Sequence, residues 1–307
     1  MRKMMLLAAF LMLGAATAFG YTFPEAFVYD GLITYDHGGM PVTANALHFN
    51  VGAGYLMFSE GFDKDGEAED LGGDVSIIGV PIDIGYAINE NILVDVTIQV
   101  LSTTESPTGG DSVSATGLGD VWVKGRYVAP VGEDFDLGGR LGVKIPVGSV
   151  DYTDEDFKPE LGDGQMDVDV ALVAGMYPEE GFVMNGQVGF RYRMTETQTI
   201  FNPLNPTETV EVDYTPGMLI YLDVEPGYSF GEFDVFVPIG YEMTMASKTD
   251  DTEDTDSETN GLYVGVAPKY ALDMNNTLGV KFLYPLMGTN VPKSMLVGVT
   301  YEGYLPM

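Results

Sequence analysis

Charged side chains alternate with apolar ones over residues 117–147, and this is the strongest chemical signal in the chain. Successive side chains of an extended chain point to opposite faces, so the charges share one face and the aliphatic residues share the other. Two such segments separated by a short break predict a β-hairpin. The charged face carries Asp120, Trp122, Lys124 and Arg126 in the first segment and Asp136, Arg140 and Lys144 in the second.

A face of this kind suits a solute pathway better than a catalytic centre. Acids and bases inside a barrel can select solutes by charge, or they can pair across strands and stiffen the interior, and both interpretations stay open. Trp122 is either a stacking surface for solutes or a packing partner of Arg126. The predicted lumen-lining residues are Asp120, Trp122, Lys124, Arg126, Arg140, Lys144, Asp167, Asp169, Arg191 and Arg193.

Residues suited to catalysis or metal binding are scarce. The chain has no cysteine, and its only histidines are His37 and His48, with no serine at the inward position next to His48. Asp63 opens a fragment of a calcium-binding loop, but the twelve-position pattern of such loops is absent, which favours a solvated acidic loop. We therefore expect no enzyme activity, no cofactor and no metal site.

The composition and the first residues indicate an exported all-β protein. A net charge of −32 argues against a nucleic-acid partner, because no basic stripe is available to neutralise phosphates. Residues 1–18 have a basic start, an apolar core and a small-residue cleavage site, which predict a secretory signal peptide. No later run reaches the length of about 18 apolar residues that a membrane-spanning helix needs.

Alternation continues along the chain and predicts an outer-membrane β-barrel. Each run is long enough for a tilted membrane strand of about 9–11 residues, and their even number is typical of bacterial barrels. The connections alternate between short and long, which places the short turns in the periplasm and the long acidic loops outside the cell. The predicted strands are 44–58, 74–88, 91–103, 116–130, 135–148, 166–178, 182–195, 214–230, 232–246, 261–272, 276–285 and 293–302.

Aromatic residues support the same orientation, because they cluster on the predicted lipid face beside the short turns, where rings favour the membrane boundary. These residues are Tyr86, Tyr127, Phe135, Phe182, Tyr228, Phe233, Tyr270 and Tyr301. The predicted boundaries are then a signal peptide at 1–18, an irregular segment at 19–43 that could plug the lumen, a barrel at 44–302 and a short tail at 303–307. The long acidic connections are predicted at 59–73, 104–115, 149–165, 196–212 and 247–259.

Three motifs resemble those of a known family. They are Gly117-Leu-Gly-Asp120, the run Arg140–Gly148 (RLGVKIPVG), and Leu161–Asp167 (LGDGQMD). Their order and spacing over residues 117–195 resemble the bacterial outer-membrane proteins named for the meta-pathway of phenol degradation. The resemblance implies a barrel of about twelve strands that moves hydrophobic or aromatic compounds across the outer membrane. It supplies no ligand residues, since the motif glycines and Pro146 look structural.

We therefore expect an all-β, transmembrane antiparallel β-barrel of about twelve strands, monomeric or trimeric, in a bacterial outer membrane. Its partners would be outer-membrane lipid and a small solute that crosses passively, with hydrophobic or aromatic compounds implied by the resemblance. The alternatives are a general diffusion porin and a structural or adhesive surface barrel. An open lumen favours the porin, an apolar pocket beneath the loops favours the hydrophobic-solute channel, and a bore closed by ion pairs favours the surface protein.

Overall fold

The computed structural model describes residues 44–149, 159–178, 180–202 and 205–307, and the regular secondary structure in these ranges is β-strand. No helix in the described ranges is long and apolar enough to cross a membrane. The strands are β1 (Ala46–Phe62), β2 (Ala68–Asn89), β3 (Ile92–Pro107), β4 (Val113–Leu118), β5 (Val121–Pro130), β6 (Phe135–Ile145), β7 (Asp167–Met176), β8 (Glu180–Arg193), β9 (Glu196–Asn202), β10 (Asn205–Thr215), β11 (Leu219–Phe230), β12 (Phe233–Phe236), β13 (Ile239–Thr244), β14 (Ser247–Thr249), β15 (Thr252–Asp254), β16 (Thr259–Asp273), β17 (Asn276–Thr289), β18 (Val291–Pro292) and β19 (Met295–Pro306).

These strands close into a twelve-stranded antiparallel barrel, as predicted. β4 and β5 together form one barrel strand, and β12 and β13 form another. The wall is continuous because β19 pairs with β1 and β8 pairs with β11. The order around the barrel is β1, β2, β3, β4/β5, β6, β7, β8, β11, β12/β13, β16, β17 and β19.

The alternation in the sequence becomes a division between an apolar outside and a polar inside. In β7, Val170 and Leu172 are exposed on the outer surface, whereas Asp167, Asp169 and Ala171 are buried in the interior, which we call the bore. Because side chains of a strand alternate between faces, the same register places the aromatic Tyr127 and Phe182 outside. An apolar outer surface with rings near one end is the surface that a lipid bilayer requires.

The two ends of the barrel differ. At one end, which we call the turn end, the strands are joined by short connections such as Glu90–Asn91 and Met274–Asn275. Gly231 adopts a positive φ of 90° in the tight connection between β11 and β12, a conformation that glycine accepts without steric cost. Hydrogen bonds from the backbone of Asn275 and the side chain of Asn276 hold the pKa of Asp273 below its usual range.

At the other end, which we call the hairpin end, the structure differs from the predicted loops. The predicted loop 59–73 is mostly strand, since β1 continues to Phe62 and β2 begins at Ala68. Most of the described residues of 196–212 and part of 247–259 are also strand, and β9, β10, β14 and β15 form a separate four-stranded sheet. Alternation does not reveal the extension of β2, because a strand with both faces in water need carry no period-2 signal. In β10 the signal is present, since half-buried Val210 and Val212 alternate with exposed Glu211 and Asp213, and the predicted loop was wrong there.

The last strand is longer than predicted. β19 runs to Pro306, so residues 303–306 belong to the barrel and not to a tail. The reason is that β1 begins at Ala46 and supplies backbone partners for these residues, with Ala46 opposite Pro306 and His48 opposite Tyr304. The predicted signal peptide at 1–18 and the predicted plug segment at 19–43 lie outside the described residues.

Candidate functional site

All ten predicted lumen-lining residues are buried inside the barrel, each with an exposed fraction of 5% or less. Nine of them lie on β5, β6, β7 and β8, which are neighbours in the wall. Asp120 lies between β4 and β5. Their common direction follows from strand parity. Their role in moving a solute is a separate question, which depends on their contacts.

Asp169 on β7 is the centre of a network that we call the ionic band. It accepts a hydrogen bond from Arg140 Nη2 at 3.0 Å and lies 3.7 Å from Arg191 Nε. The Tyr221 hydroxyl donates to both Asp169 oxygens at 3.0 Å and accepts from Arg140 at 2.6 Å. Because Tyr221 belongs to β11, three strands from β6, the network extends inward from the wall.

Two further lysine pairs belong to the ionic band. Lys144 Nζ lies 2.8 Å from Asp167 Oδ2 and also contacts Asp163. Lys281 on β17 lies 2.6 Å from Glu225 on β11, and these strands are three apart in the wall. Buried charges need such partners, since an unpaired charge in this setting is strongly destabilising. The described charges therefore fill part of the bore as well as line it.

Trp122 connects the ionic band to an apolar region. The guanidinium of Arg191 lies 4.6 Å from the centre of the Trp122 ring, within the range of a cation–π interaction. Sequence reasoning considered only Arg126 on the same strand as a partner for this ring. It did not identify Arg191, because β8 is three barrel strands from β5 and the contact depends on the curvature of the wall.

Towards the hairpin end, buried apolar side chains form one contacting cluster, which we call the apolar layer. It follows seven neighbouring barrel strands, from β16 through β1 to β5, and so lines more than half of the twelve-stranded wall. Its buried members are Leu56, Ile77, Leu101, Trp122, Leu161, Tyr263, Leu283 and Leu296. An apolar residue at an inward strand position was the available sequence signal for most of them.

The three sequence motifs meet beside the apolar layer, at what we call the motif junction. Asp120 Oδ1 accepts hydrogen bonds from the backbone N–H groups of Val147 at 3.0 Å and Gly148 at 2.9 Å, and Oδ2 accepts from Asp163 N–H at 3.3 Å. Leu161 N–H also donates to the Ser149 carbonyl at 3.0 Å. These bonds hold residues 159–166, part of the connection between β6 and β7, inside the hairpin end of the barrel.

A β-bulge directs Asp120 into the junction. Val100 on β3 pairs with Leu118, but Thr97 pairs with Trp122, so the β4/β5 side contains one extra residue. Gly119 and Asp120 are consequently both buried. Bulges commonly redirect a side chain in this way.

The motif glycines make this close approach possible. A Cβ atom on Gly148 would lie 2.7 Å from the backbone of Gly162, and one on Gly117 would lie 2.9 Å from a methyl group of Leu161. Separations this short are not tolerated in packed structures. The first motif therefore leaves room for Leu161 to join the apolar layer, and the second and third motifs pack backbone against backbone.

Comparison with known proteins places these motifs in a family. The family model described as "Putative MetA-pathway of phenol degradation" matches residues 83–301, more than two-thirds of the chain. The chain belongs to this family. The matched range contains all three motifs of the junction, together with the β5–β8 part of the ionic band. No curated protein sequence matches the chain.

Solved structures support the same architecture for this member of the phenol-degradation family. An outer membrane channel from Pseudomonas putida F1 superposes with a TM-score of 0.71 at 12% identity, over 88% of this chain and 98% of that one. The translocator domain of the autotransporter NalP from Neisseria meningitidis superposes with a TM-score of 0.52 at 12% identity, over 94% and 99%. The fold is that of a bacterial outer-membrane β-barrel, and the apolar outer surface is consistent with this location.

The described residues of this family member contain no group of three or more His, Asp or Glu side chains arranged to hold a metal ion. Polar and apolar regions lie side by side on the wall of the bore, since Trp122 of the apolar layer is opposite Lys144 of the ionic band in the ladder between β5 and β6.

Tyr221 allows a direct test of packing in the ionic band. A methyl group at Gly189 would lie 2.1 Å from the Tyr221 ring and hydroxyl, so Gly189→Ala must displace Tyr221 from Asp169 and Arg140. We expect this substitution to lower the free energy of unfolding by about 1–3 kcal/mol, as overpacking typically does. Urea unfolding in lipid vesicles, followed by Trp122 fluorescence, measures the change.

Gly125→Ala is the matched control, because nothing lies within 4 Å of a Cβ atom at Gly125. Its unfolding midpoint should equal that of the unmodified protein. Equal effects of the two substitutions would mean that the contact between Gly189 and Tyr221 does not contribute to stability.

Proposed function

We propose that this barrel moves small apolar solutes, including aromatic compounds, passively across the outer membrane. The observation that carries the proposal is the apolar layer, which lines the bore along the neighbouring strands from β16 through β1 to β5. A porin that passes hydrated ions gains nothing from leucine, isoleucine and aromatic side chains along its path. A solute with little polar surface gains free energy there, at about 25 cal/mol for each Å² of apolar surface removed from water.

The ionic band also favours transport of apolar rather than ionic solutes. Its charges are paired within the wall and across the bore, so few of them are left to attract an ionic solute. The eight charged residues among the predicted lumen-lining set that lie on β5, β6, β7 and β8 would then shape the solute pathway and hold it rigid. The band is also the observation that favours the second candidate, a structural surface barrel, because paired side chains crossing the bore can close it.

The test combines two measurements on the purified protein. In planar bilayers we expect very low ion conductance, because water is excluded from the apolar layer. In lipid vesicles that enclose a fluorescent reporter of aromatic compounds, we expect toluene to enter faster than in protein-free vesicles. Steady ion-selective openings would instead support the general diffusion porin. If there is neither ion conductance nor faster entry of toluene, the result would support the structural surface barrel.

A pair of leucine substitutions makes this test specific to the bore. Leu101→Ala removes volume from the apolar layer and should raise ion conductance, because water can enter the gap. Leu172→Ala makes the same change on the outer surface, where the leucine is 63% exposed, and should leave conductance unchanged. If both variants conduct like the unmodified barrel, the apolar layer is not the barrier.

A further inference from the structure

Gln99 is a buried polar side chain whose hydrogen-bonding groups are not used by the described residues around it. It faces the bore from β3, its exposed fraction is 0%, and neither its amide nitrogen nor its amide oxygen has a hydrogen-bond partner among the described residues. A buried polar group left without a hydrogen-bond partner destabilises the folded protein. Such a cost at an inward position points to a group that is satisfied by something entering the bore.

The indole of Trp122 has the same property. Its Nε1 donor is buried and has no hydrogen-bond partner in the described ranges. Trp122 lies opposite Thr97 in the ladder between β3 and β5, and Gln99 is the next inward residue after Thr97. The two side chains thus offer one amide donor group, one carbonyl acceptor and one indole donor on neighbouring strands.

The wall beside Gln99 is lined mainly by small residues. Pro81 on β2 is opposite Gln99, and four nearby inward positions of β1, β2 and β19 are glycines. These glycines are Gly52, Gly54, Gly79 and Gly298. The combination of an unpartnered amide and a wall lined mainly by glycine distinguishes this place among the described residues of the bore.

Gln99 also lies at a boundary between two environments. The next inward residue towards the hairpin end is Leu101, a member of the apolar layer. The next one towards the turn end is Thr97, whose hydroxyl is already satisfied by a hydrogen bond to Asp83. A solute with a ring in the apolar layer would therefore present a polar substituent at the level of Gln99 and Trp122.

We propose that Gln99 and Trp122 form a subsite for the hydroxyl group of a neutral aromatic solute, a phenol or an aryl alcohol. A hydroxyl accepts from the indole or the amide N–H and donates to the amide carbonyl, so it satisfies both kinds of group. A carboxylate has no donor and leaves the Gln99 carbonyl unpaired against an anion. A plain hydrocarbon leaves all of these groups unpaired, and sites built to bind a hydroxyl discriminate against such analogues. This inference rests on the proposed transport of apolar solutes.

Trp122 is the only tryptophan in the chain, so its fluorescence reports directly on this subsite. The experiment titrates the protein in lipid vesicles with 4-methylphenol, toluene and 4-methylbenzoate, which differ only in one substituent. We expect 4-methylphenol to bind about tenfold more tightly than the other two, the effect of one or two hydrogen bonds gained. Gln99→Leu and Gln99→Met should reduce this preference to about twofold or less.

Gln187→Leu is the matched control, because Gln187 also faces the bore, four barrel strands from Gln99, but its amide donates to Asp223 at 2.9 Å. It should keep the preference for 4-methylphenol. Stability supplies a second measurement: Gln99→Leu should raise the urea midpoint, since it removes unsatisfied polar atoms, whereas Gln187→Leu should lower it. A preference unchanged by Gln99→Leu, or a midpoint lowered by it, would overturn the subsite.

The outcomes also separate this inference from the proposed function. If the unmodified barrel admits both 4-methylphenol and toluene with equal affinity, the transport proposal stands and the hydroxyl subsite is refuted. If neither compound enters the vesicles or changes Trp122 fluorescence, both proposals fail.

Discussion

Replacing Asp120 by alanine is expected to convert a barrel of low conductance into an open one. The substitution removes the acceptor for the N–H groups of Val147, Gly148 and Asp163 at the motif junction. Each buried N–H left without a partner costs about 1–3 kcal/mol. The connection should therefore leave the barrel, and Leu161 should leave the apolar layer with it. We expect at least a tenfold rise in single-channel conductance, measured in planar bilayers.

Asp70→Ala is the control for the change in charge. Asp70 is an exposed acid on β2 near the hairpin end, and its carboxylate accepts only a local hydrogen bond from Gly72 among the bonds described. Its removal changes net charge by the same amount without touching the junction. Proteolysis should cut residues 159–166 faster in Asp120→Ala than in Asp70→Ala. An Asp120→Ala barrel with unchanged conductance and unchanged proteolysis would show that the junction does not hold the connection.

Replacing Asp169 by alanine is expected to cause the largest loss of stability. The change leaves Arg140 and Arg191 without the carboxylate at the centre of the ionic band, and Tyr221 loses its acceptor. Breaking a buried ion pair by removing one partner typically costs about 3–5 kcal/mol. The free energy of unfolding in lipid vesicles, from urea titration followed by Trp122 fluorescence, should fall by about that amount.

Glu60→Ala provides the comparison with an exposed ion pair. Glu60 lies 3.0 Å from Lys293 at the hairpin end, and this pair raises the pKa of Lys293. Exposed pairs contribute little to stability, because water and salt screen them. The Asp169 variant should consequently lose several times more stability than the Glu60 variant. Similar losses in the two variants would mean that the ionic band is open to water and contributes little.

The barrel itself could be predicted from sequence because lipid imposes a simple rule. Every membrane strand must present apolar side chains outwards, so the period-2 pattern repeats twelve times and also assigns the inward direction of residues such as Lys144 and Asp167. The rule no longer applies where the strands enter water. Extensions such as residues 68–73 of β2 carry no alternation, and their strand structure was decided by backbone pairing with β1.

The contacts inside the bore depended on tertiary structure. Parity predicts that Trp122 and Arg191 both face inwards, but only the closure and curvature of the wall bring strands three apart into contact. The same holds for Lys281 and Glu225, which are 56 residues apart in the chain.

The three motifs show both what residue type predicts and what it leaves to the tertiary structure. Gly117, Gly148 and Gly162 were recognisable as structural residues from their type, since a missing Cβ implies close approach. Their partners were not recognisable, because the bulge at Gly119 and Asp120 and the docking of residues 159–166 depend on where one connection folds. The sequence thus determined the architecture, the membrane and the direction of each strand side chain. Tertiary structure decided which inward side chains meet, because contacts across a bore join residues that no local pattern relates.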